Sequence, residues 1–204
     1  MSTGLIRENS IIWIKDLQCS LDRKYPRCMR SPTQFMEVRA EQLADINSVR
    51  QVNIAAFGRE NEANLVDKLR KIASTLSFVA VESEQIIGHL FFSPVEIDGN
   101  CRDDLLILGL APVAVVPERQ QQGVGSSLIR HGLDECTRLG CQAVVVLGHW
   151  SYYSRFGFVP AKEKGLRCEF AVPDGAFRIL ELETGALKGC SGTVKYRLEF
   201  EECK

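Results

Sequence analysis

Between residues 105 and 147 the chain passes from a long apolar run, through a glycine-bearing polar turn and a stretch of helical periodicity, into a second apolar run. No other segment restricts the fold as tightly. Residues 105–116, LLILGLAPVAVV, are too few to span a bilayer and too apolar to be anything but a buried strand or strand pair. Beyond the turn, Leu128, Ile129, Leu133, Cys136 and Leu139 recur at helical spacing, and Gly140 stands where a left-handed cap closes a helix. Residues 143–147, AVVVL, read as a second buried strand. Strand, crossover helix and strand of these lengths make a right-handed βαβ unit, so the two strands are expected to be parallel neighbours.

The turn, Gln120-Gln121-Gln122-Gly123-Val124-Gly125-Ser126, offers backbone rather than side-chain chemistry. Its glycines let a ligand approach where a helix leaves its first amides unpaired, and such a site suits phosphate or pyrophosphate. A nucleotide-hydrolysing P-loop would need Gly-Lys-Ser/Thr, but Ser126 follows Gly125 directly. A dinucleotide-binding turn would need a third glycine where Leu128 stands, and an acidic residue after the next strand, where Gly148 and His149 stand. Two readings remain: a different anion cradle, or a glycine turn that merely admits the helix.

Gln120-x-x-Gly123-x-Gly125, following Val115-Val116-Pro117, resembles the acyl-CoA signature of the GNAT N-acetyltransferases, Gln/Arg-x-x-Gly-x-Gly/Ala. Tyr152-Tyr153-Ser154-Arg155-Phe156-Gly157-Phe158 resembles the aromatic-Tyr-x-x-x-Gly-Phe segment that follows the second parallel strand in that superfamily. The resemblance spans roughly residues 35–160, and the sequence through Phe200 looks like the extension of a bacterial YhbS-like subgroup. It implies acetyl-CoA as co-substrate, no metal, and a small amine or peptide acceptor, in a monomer or homodimer. It also implies residue roles. Val113, Ala114 and Val115 would pair with the pantetheine amides, residues 120–126 would wrap the pyrophosphate, and Tyr153 would be the acid that protonates the departing thiolate. Tyr152 occupies a position usually filled by a packed aromatic, and Arg119 either reaches the nucleotide phosphates or is a solvated charge. Some relatives carry a glutamate base on the central strand; residues 105–116 contain no acid. His149, Asp103, Asp104 or a water chain are the alternatives, and none is preferred.

The rest of the chain fits around this unit. Residues 1–33 show no sustained period and are expected to form an N-terminal arm, flexible or adding an accessory strand, with a single domain over residues 34–204. A first strand is expected near residues 35–39, helices over 41–57 and 61–72, and a hairpin of strands 76–82 and 86–97 turning at Ser83-Glu84-Gln85. The two helices would help wall the acceptor site, making Phe57, Glu60 and Glu62 substrate-side candidates; for the glutamates, solvated helix ends are the simpler account. Gly88 marks a bulge or close backbone approach, and His89 beside it reads more readily as structural than as catalytic. Pro112 is awkward in a paired ladder and predicts a local disruption, which the resemblance would use to splay the parallel pair. Strands are expected again over 166–172, 176–182 and 187–200. The fold class is therefore α/β (α+β): a mixed, mostly antiparallel central sheet with one splayed parallel pair and helices on both faces.

A formal net charge of −1 gives no electrostatic case for nucleic acid or an anionic membrane. Residues 1–18 lack the pattern of a secretory signal. None of the eight cysteines is in C-x-x-C spacing, so free thiols in a reducing, cytoplasmic compartment are expected. The function expected is N-acetyl transfer from acetyl-CoA; the alternative is a non-catalytic acyl-CoA-binding module on the same fold.

Overall fold

The structure, a computed structural model, describes residues 35–203; the arm expected over residues 1–33 lies outside the described residues. Seven strands form the main sheet, in the order β1-β2-β3-β5-β6-β9-β7. Its members are β1 (Met36–Ala40), β2 (Leu76–Glu82), β3 (Gln85–Pro94), β5 (Ile107–Val115), β6 (Ala143–Leu147), β9 (Phe177–Glu181) and β7 (Val159–Pro160). All neighbours are antiparallel except β5 and β6, the pair anticipated from the crossover unit. The helix between those two strands is α3 (Val124–Arg138). No described helix is long and apolar enough to cross a membrane.

Alternating burial divides the interior into two layers. On one face, α1 (Ile46–Phe57) and α2 (Asn61–Leu69) contribute Val49, Leu65, Val66 and Leu69, which pack with Val79, Phe91, Val145 and Ile179 of the sheet. On the other, Val124, Leu128, Ile129, Leu133 and Cys136 of α3 meet Leu90, Phe92, Leu108, Leu110 and Val144. Helix α3 lies close against β3 because Gly132 has no side chain: an added Cβ would stand 2.6 Å from Phe92 Cε2 and 2.7 Å from Leu90 Cδ2. Gly88 is both things the sequence allowed. Val124 Cγ1 and Leu128 Cδ1 would each be 2.9 Å from a Cβ there, and the β2–β3 register shifts beside it, leaving Ile87 as the extra residue.

Several boundaries differ from expectation. The strand expected over residues 86–97 is two strands, and Asp98-Gly99-Asn100, turn-like in composition, lies in β4 (Glu96–Asn100). There Gly99 faces Gly192 of β10 (Ser191–Lys195), in a second sheet ordered β4-β10-β8 with β8 (Leu166–Cys168). The expected last strand stops at Lys195, and Leu198–Cys203 form a 3₁₀ helix whose Phe200 enters the core. Free cysteines were expected throughout, and this needs correction. Cys101 and Cys190 form a disulfide with a Cα separation of 4.4 Å, brought together by the β4–β10 pairing across 89 positions of sequence. Local spacing carries no trace of so distant a partner. Cys136, Cys141 and Cys168 are free.

His89 is structural. Fully buried, its Nδ1 lies 3.0 Å from Asn53 Nδ2 of α1 and its Nε2 3.0 Å from Ser77 Oγ, which donates in turn to Glu41. Glu41 is held by Arg70 at 2.7 Å. With Asn53 donating to Nδ1, the proton resides on Nε2 and the ring is neutral. Burial, followed by the positive charge of Arg70, pulls its pKa from 6.5 down to about 3. The unfolded chain therefore takes up this proton below pH 6.5 while the folded chain refuses it until about 3. Stability that His89 supplies above pH 6.5 should be lost as pH falls through that window, by about 1.4 kcal/mol per unit. Chemical denaturation of wild type and His89→Gln from pH 8 to 4 checks this. The wild-type advantage should shrink with falling pH, and a constant gap would refute the assignment.

Candidate active site

The site begins where β5 and β6 part. Their ladder pairs Ile107 with Ala143, Leu108 with Val144 and Gly109 with Val145, then stops, although β5 runs on to Val115 and β6 to Leu147. The cause lies on the other side of β5. Leu110 faces Phe92 and Val113 faces Leu90, so Ala111 and Pro112 together oppose Phe91. Two residues against one is a β-bulge, which bends and twists its strand. The Ala111–Pro112 bond is cis, and this is the disruption that Pro112 predicted. Past the bulge, Val113, Ala114 and Val115 still pair with Leu90, His89 and Gly88, which fixes one edge of the strand while the other borders the gap.

At the end of β5 a 3₁₀ turn, Pro117–Arg119, leads into the glycine segment. Gln120 folds back, and its Nε2 donates to Val115 O at 3.0 Å. Gln122 Nε2 likewise donates to Glu118 O at 2.8 Å. Both side chains are thus spent on shaping the loop. Gln121 and Gly123 take left-handed conformations, with φ of 60° and 92°. Gly123 is the N-cap of α3 and no side chain caps the helix. Val124 buries its side chain in the core, so it offers a ligand only its amide, as do the glycines. Ser126 is half-buried one residue further on. Arg119 pairs with Glu82 at 2.8 Å, so its charge is already matched.

Tyr152 and Tyr153 arrive from α4 (Trp150–Tyr153), immediately after β6. Tyr152 turns toward the glycine segment: its hydroxyl would lie 2.8 Å from a Cβ on Gly125. Tyr153 is fully buried, edge-on to Tyr152 at 5.1 Å and to Phe158 at 5.5 Å between ring centroids. Gly148, at the end of β6, is what admits the ring, since an added Cβ would meet Tyr153 Cε2 at 2.5 Å. No hydrogen-bond partner for Tyr153 Oη occurs among the described residues. Burial, reinforced by Tyr152, raises its pKa well above 10, so it stays a donor at neutral pH.

Tyr196 also borders the parting of β5 and β6, a placement the sequence does not signal. It reads from sequence as one member of an alternating terminal strand, yet its ring covers Gly109, the last residue of β5 paired with β6, with Cε1 2.9 Å from a Cβ placed there. Burial first, then Cys168, Glu169 and Tyr153, raise its pKa well above 10. Tyr153 belongs to the α3 layer and Tyr196 to the opposite one, so the two phenols approach the parting of β5 and β6 from both faces. Glu62 departs from the solvated helix end expected of it. It is fully buried on α2 and accepts from Arg59, with 2.7 Å from Nη2 to Oε1. Glu60 is solvated as expected, 66% exposed and paired with Arg50. Among the possible bases, Asp104 pairs with Arg102 on an exposed loop, Asp103 is exposed, and only His149 stands at the carboxyl end of β6. No cluster of metal-ligating residues occurs among the described residues.

A family model described as an acetyltransferase (GNAT) domain matches residues 37–161. The chain belongs to this family. GNAT relatives extend the match. The uncharacterized N-acetyltransferase YhbS of Escherichia coli K12 is 38% identical over 167 residues, 81% of this chain and 98% of its own length. The crystal structure of E. coli YhbS in complex with CoA superposes with a TM-score of 0.77 at 35% identity, over 85% of this chain and 96% of that one. A GNAT acetyltransferase from Brucella melitensis in complex with acetyl-CoA gives 0.66 at 35% identity, over 82% and 99%. Membership makes this chain an acyltransferase, and it carries the fold expected from its sequence.

Proposed function

We propose that the protein transfers the acetyl group of acetyl-CoA to a primary amine of a small-molecule or peptide acceptor. The observation that carries this reading is Tyr153, a buried phenol whose hydroxyl has no partner among the described residues, beside the gap between two parted parallel strands. A buried donor without an acceptor costs about 1–3 kcal/mol, and a thioester sulfur in the gap would supply the acceptor. The relatives crystallised with CoA and acetyl-CoA support the choice of ligand. In this reading the pantetheine arm lies along Val113, Ala114 and Val115 as an added strand. The pyrophosphate rests on the amides of residues 120–126 at the positive end of α3. A neutral amine attacks the thioester carbonyl, the C–S bond breaks, and Tyr153 gives its proton to the departing thiolate. The nitrogen loses its proton to a base that β5, lacking any carboxylate, does not provide. The cytoplasm is the proposed location, and recovery in a membrane or secreted fraction would refute it.

Coenzyme binding is tested at Gly125. A methyl there crowds the Tyr152 hydroxyl, whereas a carboxylate also opposes the pyrophosphate. Calorimetry with CoA should show a modest loss for Gly125→Ala and a further loss of at least about tenfold for Gly125→Asp, since the helix-end field now meets a fixed negative charge. Equal affinity in wild type and Gly125→Asp would exclude the turn as the coenzyme site.

Chemistry is tested at Tyr153. Tyr153→Phe keeps the ring against Gly148 and Phe158 and removes one hydroxyl that bonds nothing among the described residues. CoA affinity should hold and stability should hold or rise, while kcat falls by about a hundredfold, the lower end of general-acid effects, because a thiolate leaves readily. Release of free CoA thiol with a panel of amines provides the readout. If kcat stays within about threefold while chemistry limits the rate, Tyr153 is a packing residue. Binding without release for every amine would favour a non-catalytic acyl-CoA-binding module.

A further inference from the structure

Most arginines on the described surface have a carboxylate partner, but two close to the glycine segment have none among the described residues. Arg155, just after α4, stacks its guanidinium over the Tyr152 ring, with Cζ 4.4 Å from the centroid, and its Nε donates to Tyr152 O at 3.1 Å. Its Cζ is also 5.6 Å from the Phe156 centroid. Arg130 of α3 lies at the same 5.6 Å from that ring. Asp134, one helical turn further along α3, forms no ion pair with Arg130. Both arginines are exposed, so their guanidinium donors are open to a ligand.

Their position gives the pair its meaning. Tyr152 carries Arg155 on its ring and rests its hydroxyl against Gly125. Arg130 follows Ser126 by four residues, so the two share one face of α3 a single turn apart. Both guanidiniums lie near enough to the Tyr152 hydroxyl to favour its ionisation, although burial is the stronger influence and leaves its pKa raised. Two unmatched cations therefore flank the anion-binding end of α3, held on a shared aromatic ring rather than by a counter-charge. Stacking orients a guanidinium and leaves its donor fork free, and such a fork suits phosphate oxygens.

We infer that Arg130 and Arg155 form a second anion subsite, separate from the backbone amides of the turn, that receives the ribose 3′-phosphate of the coenzyme and distinguishes CoA from 3′-dephospho-CoA. The inference rests on the coenzyme reading above. A phosphomonoester carries nearly two charges at neutral pH, whereas each pyrophosphate group in the turn carries one, so the two arginines match the more highly charged end of the ligand. The discrimination should weaken as salt rises, because both partners are exposed.

The test is calorimetric titration of CoA and 3′-dephospho-CoA into wild type, Arg130→Gln, Arg155→Gln and the double variant. Wild type should prefer CoA by about ten- to hundredfold, the usual effect of charge-assisted hydrogen bonds to arginine. Each single variant should lose part of the preference and the double variant nearly all of it, with affinity for 3′-dephospho-CoA constant within about threefold. A wild type that does not prefer CoA overturns the inference, as does a double variant that keeps the preference. Parallel weakening of both ligands also overturns it, by showing that the arginines merely shape the turn. Failure of wild type to bind either ligand is a different result, because it removes the coenzyme reading itself.

Discussion

The structure depends on one local conflict in β5. Hydrogen bonding to β3 and to β6 cannot both be kept beyond Gly109, because Ala111 and Pro112 together occupy the place opposite Phe91. The bend is resolved in favour of β3. Residues 113–115 stay in its ladder and β6 is released, which leaves backbone donors and acceptors along an inner edge that a closed sheet would have consumed. Everything that defines the site borders this edge: the glycine segment at its end, Tyr153 on one face and Tyr196 on the other.

Glycine placement fixes how closely the other parts approach. Gly132 and Gly88 seat α3 on β3, Gly125 receives the Tyr152 hydroxyl, Gly148 admits the Tyr153 ring, and Gly109 lies under Tyr196. At each of these, a side chain or helix would have to retreat before a methyl group, and interiors packed at crystal density give way reluctantly. The polar residues of the same region follow a similar economy. Gln120 and Gln122 satisfy carbonyls of the loop, and Arg119 is neutralised by Glu82, which leaves main-chain amides and the two stacked arginines to the proposed coenzyme.

Much of this was legible in the sequence because it is local. Apolar runs on either side of a helical period dictated the parallel pair, Pro112 announced the bulge, and the Gln-x-x-Gly-x-Gly and Tyr-x-x-x-Gly-Phe segments located the turn and the phenol. What escaped depends on contacts distant in sequence. Tyr196 acquires its place only because β10 pairs with β4 and carries the following residues over Gly109. Glu62 belongs to a polar helix start by sequence, yet the folded chain buries it completely, and Arg59 supplies the charge that makes burial tolerable. Asp98-Gly99-Asn100 has the composition of a turn, but it is held extended by a partner strand some ninety positions later.

The Cys101–Cys190 bond joins the connection entering β5 to the strand that carries Tyr196 into place. Its ladder neighbours are short: β10 pairs with β4 over five residues and with β8 over three. In terms of chain entropy, a cross-link closing a loop of 89 positions removes roughly 4–5 kcal/mol of freedom from the unfolded ensemble. The small sheet is accordingly tethered by the cross-link as much as by its own pairing, and with it the wall that Tyr196 presents to the gap. Oxidation state and the shape of the gap between β5 and β6 are thus coupled through topology alone, without either cysteine bordering that gap.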